Sequence, residues 1–306
     1  MLVNPLESLM TARANGWAVG GFNVYNLESA RAVVAAGENL QAPVMVQTSE
    51  GAIKHSGLDN IASIVRRLAE ASSTPVALHL DHGKSIEIAR AAVKAGYTSV
   101  MIDTSRLPLE ENIADTRQIV EFAHARNVQV EAELGQLAGI EDLGEEAAEA
   151  TYTVPEEAVR FATETGVDSL TITIGTSHGA FKFKGQPRLD FDRLATIAGL
   201  VDQPIVLHGA SAIPAADVAL AARYGARLPA AQGIPEEFIR QAISLGVAKI
   251  NTDSDLRLAA LGRMRQVLTE RPDIFNMYEL MSQVEEALRA AVEARIRLFG
   301  SQGKGA

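Results

Sequence analysis

Residues 76–83 read VALHLDHG, an aliphatic run that ends in two histidines, an aspartate and a glycine. Successive side chains of a strand point to opposite faces, so this run has one aliphatic face and one face that becomes polar near its end. The aliphatic face holds Val76, Leu78 and Leu80, and the other face holds Ala77, His79 and Asp81. The run therefore predicts a buried strand whose C-terminal end lies in a functional site.

Seven further aliphatic runs alternate with helix-sized segments along the chain. Together the eight runs cover residues 19–24, 43–48, 75–81, 99–103, 128–134, 169–175, 204–209 and 247–252. Strands that alternate with helices indicate a parallel sheet, and eight such units in roughly 250 residues match a closed barrel. A doubly wound open sheet is the rival, disfavoured because no G-x-G-x-x-G follows the first run. We predict one (β/α)8 TIM barrel domain over residues 1–306, with additional C-terminal helices.

The other runs repeat the polar face of residues 76–83. Inward-facing polar positions near the run ends are Asn23, Ser49, Asp103, Gln129, Glu131, Glu133, His208, Lys249, Asn251 and Asp253. In a barrel this face points inward, toward the C-terminal mouth where barrel enzymes hold their active sites. The pattern therefore predicts an active site at that mouth.

A net charge of −10 and the absence of cysteine narrow the possible functions. A nucleic-acid or anionic-membrane surface needs a basic footprint, so neither partner is expected. Without cysteine, histidine and carboxylates are left as metal ligands. The N-terminus lacks the pattern of a signal peptide, and no apolar run reaches about 18 residues. We expect a soluble cytoplasmic protein.

Three of the six histidines directly precede a glycine near a predicted strand end: His82, His178 and His208. Three histidines that leave one coordination position open are typical of a catalytic zinc site, and glycine allows a ligand to approach the backbone closely. Each histidine alone is more simply explained as a hydrogen-bonded core or loop residue. His55 and His124 are interpreted in that way, as surface residues.

Several longer motifs occur in the order HLDHG, VEAELGQLAGIED, GTSHGAFK, LHGAS and KINTDSDLR. With these motifs the chain resembles the class II, metal-dependent fructose-1,6-bisphosphate aldolases, in the shorter subgroup that also contains tagatose-bisphosphate aldolases. The resemblance implies a cytoplasmic lyase of glycolysis and gluconeogenesis that reversibly cleaves fructose 1,6-bisphosphate to dihydroxyacetone phosphate and glyceraldehyde 3-phosphate. It also implies a homodimer or homotetramer.

By this resemblance, His82, His178 and His208 bind the catalytic divalent ion, usually zinc. Asp103 and Glu133 match positions of an alternative or second divalent metal, and a monovalent cation is a further expected cofactor. A Lewis acid makes chemical sense here, because cleavage next to a ketone develops negative charge that must be stabilised.

The resemblance also assigns the proton transfers. Asp81 matches the acid/base that serves the hydroxyl at the reacting bond, although an aspartate beside a metal ligand could instead orient that ligand. Glu141 matches a loop glutamate that removes the carbon-bound proton of dihydroxyacetone phosphate. Asp142 is the alternative residue for that role, and a mobile solvated loop is the simpler explanation of the acidic segment.

Substrate contacts are expected from the loops that follow the strands. The candidates are Ser49, Gly179, Gly209, Ala210, Ser211, Asn251, Thr252, Asp253, Ser254 and Arg257. The segment 251–254 precedes a predicted helix, whose N-terminus favours anions, although a simple helix cap explains it equally well. The resemblance to fructose-specific members of the subgroup, which carry Asp253 and Arg257 at these positions, implies a preference for fructose over tagatose bisphosphate.

Two alternatives from the residues themselves stay open. Lys249 on the inward face of the eighth strand could form a Schiff base in a metal-free aldolase. A non-catalytic barrel that binds phosphosugars is also compatible with the fold, because barrels carry many functions.

Overall fold

Eight parallel strands form a closed barrel in the computed structural model, which describes residues 1–140, 146–147, 150–178, 188–228 and 232–305. The strands are β1 (Val19–Asn23), β2 (Val44–Ser49), β3 (Val76–Gly83), β4 (Ser99–Ile102), β5 (Gln129–Leu134), β6 (Ser169–Ile172), β7 (Ile205–Leu207) and β8 (Val247–Thr252). Each strand pairs with its sequence neighbours, and β8 pairs with β1 to close the barrel. The predicted TIM barrel and all eight predicted strands are confirmed.

Helices surround the barrel. They are α1 (Leu6–Asn15), α2 (Leu27–Leu40), α3 (Glu50–Ser56), α4 (Leu58–Ala71), α5 (Ile86–Lys94), α6 (Leu109–His124), α7 (Pro155–Thr165), α8 (Phe191–Leu200), α9 (Ala215–Arg223), α10 (Glu236–Ser244), α11 (Ser254–Glu270) and α12 (Met277–Phe299). Within the described ranges, no helix is both long and apolar enough to cross a membrane.

The core has an outer layer and a separate plug. The outward faces of the strands pack under the helices, and α12 lies against α2 and α11 with Leu288 and Ile296 buried. The plug is an apolar cluster of Leu9, Ala12, Trp17, Val19, Met45, Ala77 and Ala248. It joins α1 to the first inward residues of the strands, so the N-terminal end of the barrel is apolar.

Above the plug the barrel interior is polar and buried. The inward residues of this belt are Gln47, His79, Ser99, Gln129, Glu131, Ser169, Thr171 and Lys249. Buried polar groups are costly unless they are hydrogen-bonded, so these side chains must satisfy one another. The barrel therefore changes from an apolar floor to a polar interior along its axis.

A small three-stranded sheet lies beyond β5 and β6. Its central strand, Ala138–Ile140, pairs antiparallel with Glu146–Ala147 and parallel with Ser177–His178. The sheet fastens the segment after β6 to the segment after β5. Consequently the backbone of His178 pairs with that of Gly139, close in sequence to the predicted base Glu141.

Candidate active site

Two histidine side chains converge at the C-terminal mouth of the barrel. His82 lies at the end of β3 and His208 directly follows β7, and both approach the same point from opposite sides. The Nε2 atom of His82 is 2.9 Å from the Nδ1 atom of His208, with the two rings in an edge-to-face arrangement. Of the three histidines predicted from the sequence, these two are brought together.

A carboxylate lies behind each of these imidazoles. Asp103 Oδ2 is 2.7 Å from His82 Nδ1, and Glu131 Oε1 is 2.9 Å from His208 Nε2. A carboxylate only accepts hydrogen bonds when ionised, so each of these far nitrogens carries the proton. Burial opposes protonation of His82, but the charges of Asp81, Asp103 and Glu133 raise its pKa well above the ordinary value, so its near nitrogen Nε2 also carries a proton, which His208 Nδ1 accepts. A divalent metal in place of that proton would meet one lone pair from each ring, and the donor set therefore fits a divalent metal.

Asp103 is held in its ionised form. Burial opposes ionisation of Asp103, but hydrogen bonds from His82 and Ser105 lower its pKa well below the ordinary value. Glu133 Oε2 lies 3.9 Å from His82 Nδ1 and 3.7 Å from His208 Nδ1. Ligand atoms of His82, Asp103 and Glu133 all lie within 4.8 Å of one another, close enough for one ion.

The glycines beside these histidines allow close backbone packing. A Cβ atom on Gly83 would lie 2.7 Å from the carbonyl oxygen of Met101, and one on Gly209 would lie 2.6 Å from that of Ser177. His82 itself adopts a left-handed conformation, with φ of 49°. Backbone atoms of a neighbouring strand or loop therefore occupy the space beside both glycines, whereas the sequence predicted that a ligand would approach there.

Asp81 is held by amide groups on both of its oxygens. Asn23 Nδ2 donates to Oδ2 at 2.7 Å, and Asn251 Nδ2 donates to Oδ1 at 2.8 Å. Burial alone would raise the pKa of Asp81, but positive charge on His82 and Lys249 lowers it to about 2. The side chain is therefore an ionised, fixed proton acceptor beside the two histidines.

A second line of amides supports this aspartate, and the sequence analysis did not identify it. Gln47 Nε2 donates to Asn23 Oδ1 at 2.8 Å. The side-chain oxygens of Gln47 and Asn251 both lie against Gly21, in the space that a Cβ atom would occupy. The sequence could have indicated Gln47, because it lies two positions before Ser49 in β2 and therefore points to the same inward face.

Lys249 does not have the free amine that a Schiff base requires. Its side chain is fully buried, its ammonium donates to Glu131 Oε2 at 2.8 Å, and His79 Nε2 lies 3.3 Å away. Burial opposes ionisation of Glu131, but Lys249 and His208 lower the pKa of this carboxyl well below its ordinary value. The Schiff-base alternative is therefore unsupported, and Lys249 belongs to an internal ion pair.

The segment 251–254, which the sequence predicts to bind phosphate, forms the junction between β8 and α11. Asn251 and Thr252 end the strand, and Ser254 begins the helix. Asp253 occupies the N-cap position but makes no side-chain cap hydrogen bond, and its carboxylate accepts from Arg257 Nε at 2.9 Å. The side chain of Asp253 therefore does not cap α11.

The remaining predicted residues fall into three groups. Ser49 caps α3 by accepting from the Ala52 amide, whereas Ala210 and Ser211 are buried after β7. Glu141 and Gly179 lie outside the described residues, and only the backbone of His178 is described. As expected, the surface histidines lie elsewhere: His55 is exposed, and His124 pairs with Asp168 at 2.9 Å.

Asp255 is a further residue that sequence reasoning missed. Its carboxylate accepts from the amides of Ala212 and Ile213, the latter at 2.6 Å. It thereby ties the loop after β7 to the first turn of α11. No motif identified this contact, because it joins segments that are 42 residues apart.

This combination of a closed parallel barrel with convergent histidines and an ionised aspartate at its C-terminal mouth defines a barrel enzyme whose site suits a divalent metal. Over residues 3–304 the sequence matches the family described as class-II fructose-bisphosphate aldolase. The chain belongs to that family.

Known proteins of similar sequence and structure agree. Fructose-bisphosphate aldolase of Thermus caldophilus is 47% identical over 99% of this chain and 100% of its own length. That of Helicobacter pylori strain 26695 is 44% identical, with the same coverage of both chains. Among solved structures, the YdjI aldolase of Escherichia coli K12 has a TM-score of 0.83 at 32% identity and covers all of both chains. The protein is thus a lyase of the metal-dependent aldolase class, and the non-catalytic alternative is unsupported.

We expect His82→Ala and His208→Ala each to weaken divalent-metal binding by more than the roughly 10–100-fold loss typical of an outer-shell change. Each substitution removes one of the two converging lone pairs. Calorimetric titration of metal-free protein with zinc measures the loss. His124→Ala removes a histidine that already pairs with Asp168 at the surface, and an equal loss in that variant would contradict the assignment.

Proposed function

We propose that this protein reversibly cleaves fructose 1,6-bisphosphate to dihydroxyacetone phosphate and glyceraldehyde 3-phosphate, with a zinc ion held by His82, His178 and His208. The observation that carries the ligand assignment is the convergence of two imidazole nitrogens, His82 Nε2 and His208 Nδ1, which lie 2.9 Å apart. Ligands about 2.0–2.1 Å from a tetrahedral zinc ion are separated by about 3.3 Å. The observed separation is close to that value, and family membership supports the substrate.

A bound divalent ion would supply a Lewis acid that draws off the negative charge developing on the ketone oxygen. Asp103 and Glu133 have two compatible roles toward it. Asp103 orients His82 through their hydrogen bond, and together with Glu133 it offers a second position for the same ion or another one. A monovalent cation stays a prediction, as do the single-domain organisation and the cytoplasmic location.

We assign the hydroxyl proton to Asp81. In the cleavage direction its carboxylate takes the proton from the hydroxyl at the breaking bond, and that oxygen becomes the aldehyde of glyceraldehyde 3-phosphate. The low pKa of Asp81 keeps it ionised for this step, and Asn23 and Asn251 keep its oxygens in place. Glu141 then delivers a proton to the carbon that becomes part of dihydroxyacetone phosphate.

Separate roles predict separate losses of activity. Glu141→Ala should slow hydrogen exchange at the reacting carbon of dihydroxyacetone phosphate by on the order of 10²–10⁴-fold, because that carbon loses its acid/base. Asp81→Ala should reduce cleavage more than this exchange. Deuterium exchange followed by NMR and a coupled cleavage assay measure the two activities.

Asp142→Ala is the matched control for Glu141→Ala, because it removes the adjacent acidic side chain. Nearly unchanged exchange in this variant supports Glu141. Loss of exchange in Asp142→Ala alone would transfer the role to Asp142. Equal loss of both activities in the Asp81 and Glu141 variants would contradict the division of roles.

Asp253 and Arg257 carry the proposed choice between epimeric sugars. The two side chains form an ion pair one helical turn apart at the start of α11, directly after Asn251 in the barrel mouth. A carboxylate aimed at the C4 hydroxyl of one epimer is left unpaired by the other, and a guanidinium group matches the C6 phosphate. We therefore propose fructose 1,6-bisphosphate over tagatose 1,6-bisphosphate.

Asp253→Ala should narrow the fructose preference by roughly 1–3 kcal/mol, the range for an unsatisfied polar partner. Arg257→Ala should weaken bisphosphate use while leaving proton exchange on dihydroxyacetone phosphate largely intact. The measurement is kcat/KM on both sugars. Arg271→Ala is the control, since it removes an exposed, ion-paired arginine at the far end of α11. A higher kcat/KM on tagatose 1,6-bisphosphate in the unmodified protein would overturn this proposal.

We further propose that the chain forms a dimer or tetramer. The apolar face of α12 is already covered by the barrel helices, but Phe275, Met277 and Tyr278 are exposed at the connection from α11 to α12. Clustered apolar side chains at a surface favour association. Light scattering at micromolar concentration should therefore detect an oligomer, and a monomer alone would refute this proposal.

A further inference from the structure

Glu131 lies in the middle of the barrel, one layer below the residues assigned to metal and substrate. It is fully buried, and its two oxygens have different partners. Thr171 Oγ1 donates to Oε1 at 3.0 Å, and His208 Nε2 lies 2.9 Å from the same oxygen. Lys249 Nζ donates to Oε2 at 2.8 Å. Each oxygen of Glu131 therefore faces a donor, and one of those donors is a proposed metal ligand.

A directed chain of hydrogen bonds anchors Lys249. An ammonium group can only donate, so His79 Nε2 must accept from Lys249 and His79 Nδ1 must carry the proton. Nδ1 then donates to Ser99 Oγ at 2.6 Å, Ser99 donates to Gln129, and Gln129 donates to a further serine. Burial and the charge of Lys249 lower the pKa of His79 to about 3, so it stays neutral. Lys249 therefore donates to Glu131 whatever happens at the far end of this chain, because an ammonium group can only donate.

We propose that Glu131 is a positioning residue for His208. Lys249 keeps Glu131 as a hydrogen-bond acceptor, and Glu131 in turn fixes the proton of His208 on Nε2. The lone pair of His208 Nδ1 is thereby directed toward the position that His82 Nε2 also faces. This inference rests on the proposed role of His208 as a metal ligand. The ion pair of Glu131 with Lys249 thus selects the tautomer that can bind metal. Thr171 Oγ1 also lies near Nε2, at 3.4 Å, but the carboxylate of Glu131 is nearer, at 2.9 Å, and is the stronger acceptor.

The inference predicts an unusual effect of Glu131→Gln, which keeps the shape of the side chain. Lys249 still needs an acceptor, so the amide oxygen turns toward its ammonium and the amide nitrogen turns toward His208. That nitrogen donates to His208 Nε2, which forces the proton onto Nδ1, the atom that faces the metal point. Adding Lys249→Met removes the competing ammonium, so the amide can turn back and accept from His208 again.

The test uses the metal-free full-length protein. Nitrogen-15 NMR of the His208 ring identifies which nitrogen carries the proton. Zinc titration against a competing chelator measures the metal affinity. Unmodified protein should carry the His208 proton on Nε2. Glu131→Gln should move it to Nδ1 and weaken zinc binding by on the order of 10–100-fold. The double variant Glu131→Gln with Lys249→Met should restore the Nε2 proton and most of the affinity.

Gln129→Met is the matched control. It removes a buried amide of the same belt that contacts Ser99 and Ser169 but not His208. It should lower the free energy of unfolding while leaving the tautomer and the zinc affinity unchanged. An equal loss of affinity in this control would show that any damage to the belt weakens the site, and it would overturn the specific role of Glu131.

Three other results would also overturn the proposal: a His208 proton on Nδ1 in the unmodified protein, an unchanged tautomer in Glu131→Gln, or a double variant no better than the single one. If Glu131→Gln does not fold, the double variant decides, because it must fold and bind zinc with the Nε2 proton in place. The tautomer is read without metal or substrate. If the unmodified protein fails to cleave the sugar while Glu131→Gln still switches the tautomer, the proposed function alone is rejected.

Discussion

The site depends on two imidazole nitrogens that lie 2.9 Å apart, a contact that is repulsive unless a proton or a cation lies between them. The protein maintains this contact by placing an acceptor behind each ring. Asp103 holds the proton of His82 on Nδ1, and Glu131 holds that of His208 on Nε2. The position proposed for the metal is thus defined by groups that do not themselves need to contact the metal.

This arrangement places charge where burial is expensive. Asp81, Glu131 and Lys249 are all buried, and removing one partner of such a pair leaves an uncompensated charge that costs several kcal/mol. The barrel limits this cost by separating two regions along its axis. An apolar plug from α1 excludes water at one end, while the polar belt pairs each charge with a fixed donor or acceptor. The interior is therefore specialised to orient groups.

Strand parity predicted more of this structure than any single motif did. Alternation in the eight runs placed Asp81, Glu131 and Lys249 on the inward face before any contact was known, and the barrel confirms the eight strands. Parity does not give distance, however. Lys249 was therefore a plausible nucleophile from sequence, whereas its position 2.8 Å from Glu131 makes it an ion-pair partner. The contact of Asp255 with the loop after β7 was likewise beyond reach, because tertiary packing alone creates it.

Cleavage of fructose 1,6-bisphosphate before and after removal of bound metal tests the central claim most directly. Protein treated with a chelator and verified as metal-free should lose its cleavage activity, and added zinc or another divalent ion should restore it. The expected result follows from the two converging imidazole nitrogens, which offer a cation two ligands at the mouth of the barrel. Full cleavage activity in a verified metal-free sample would contradict this account.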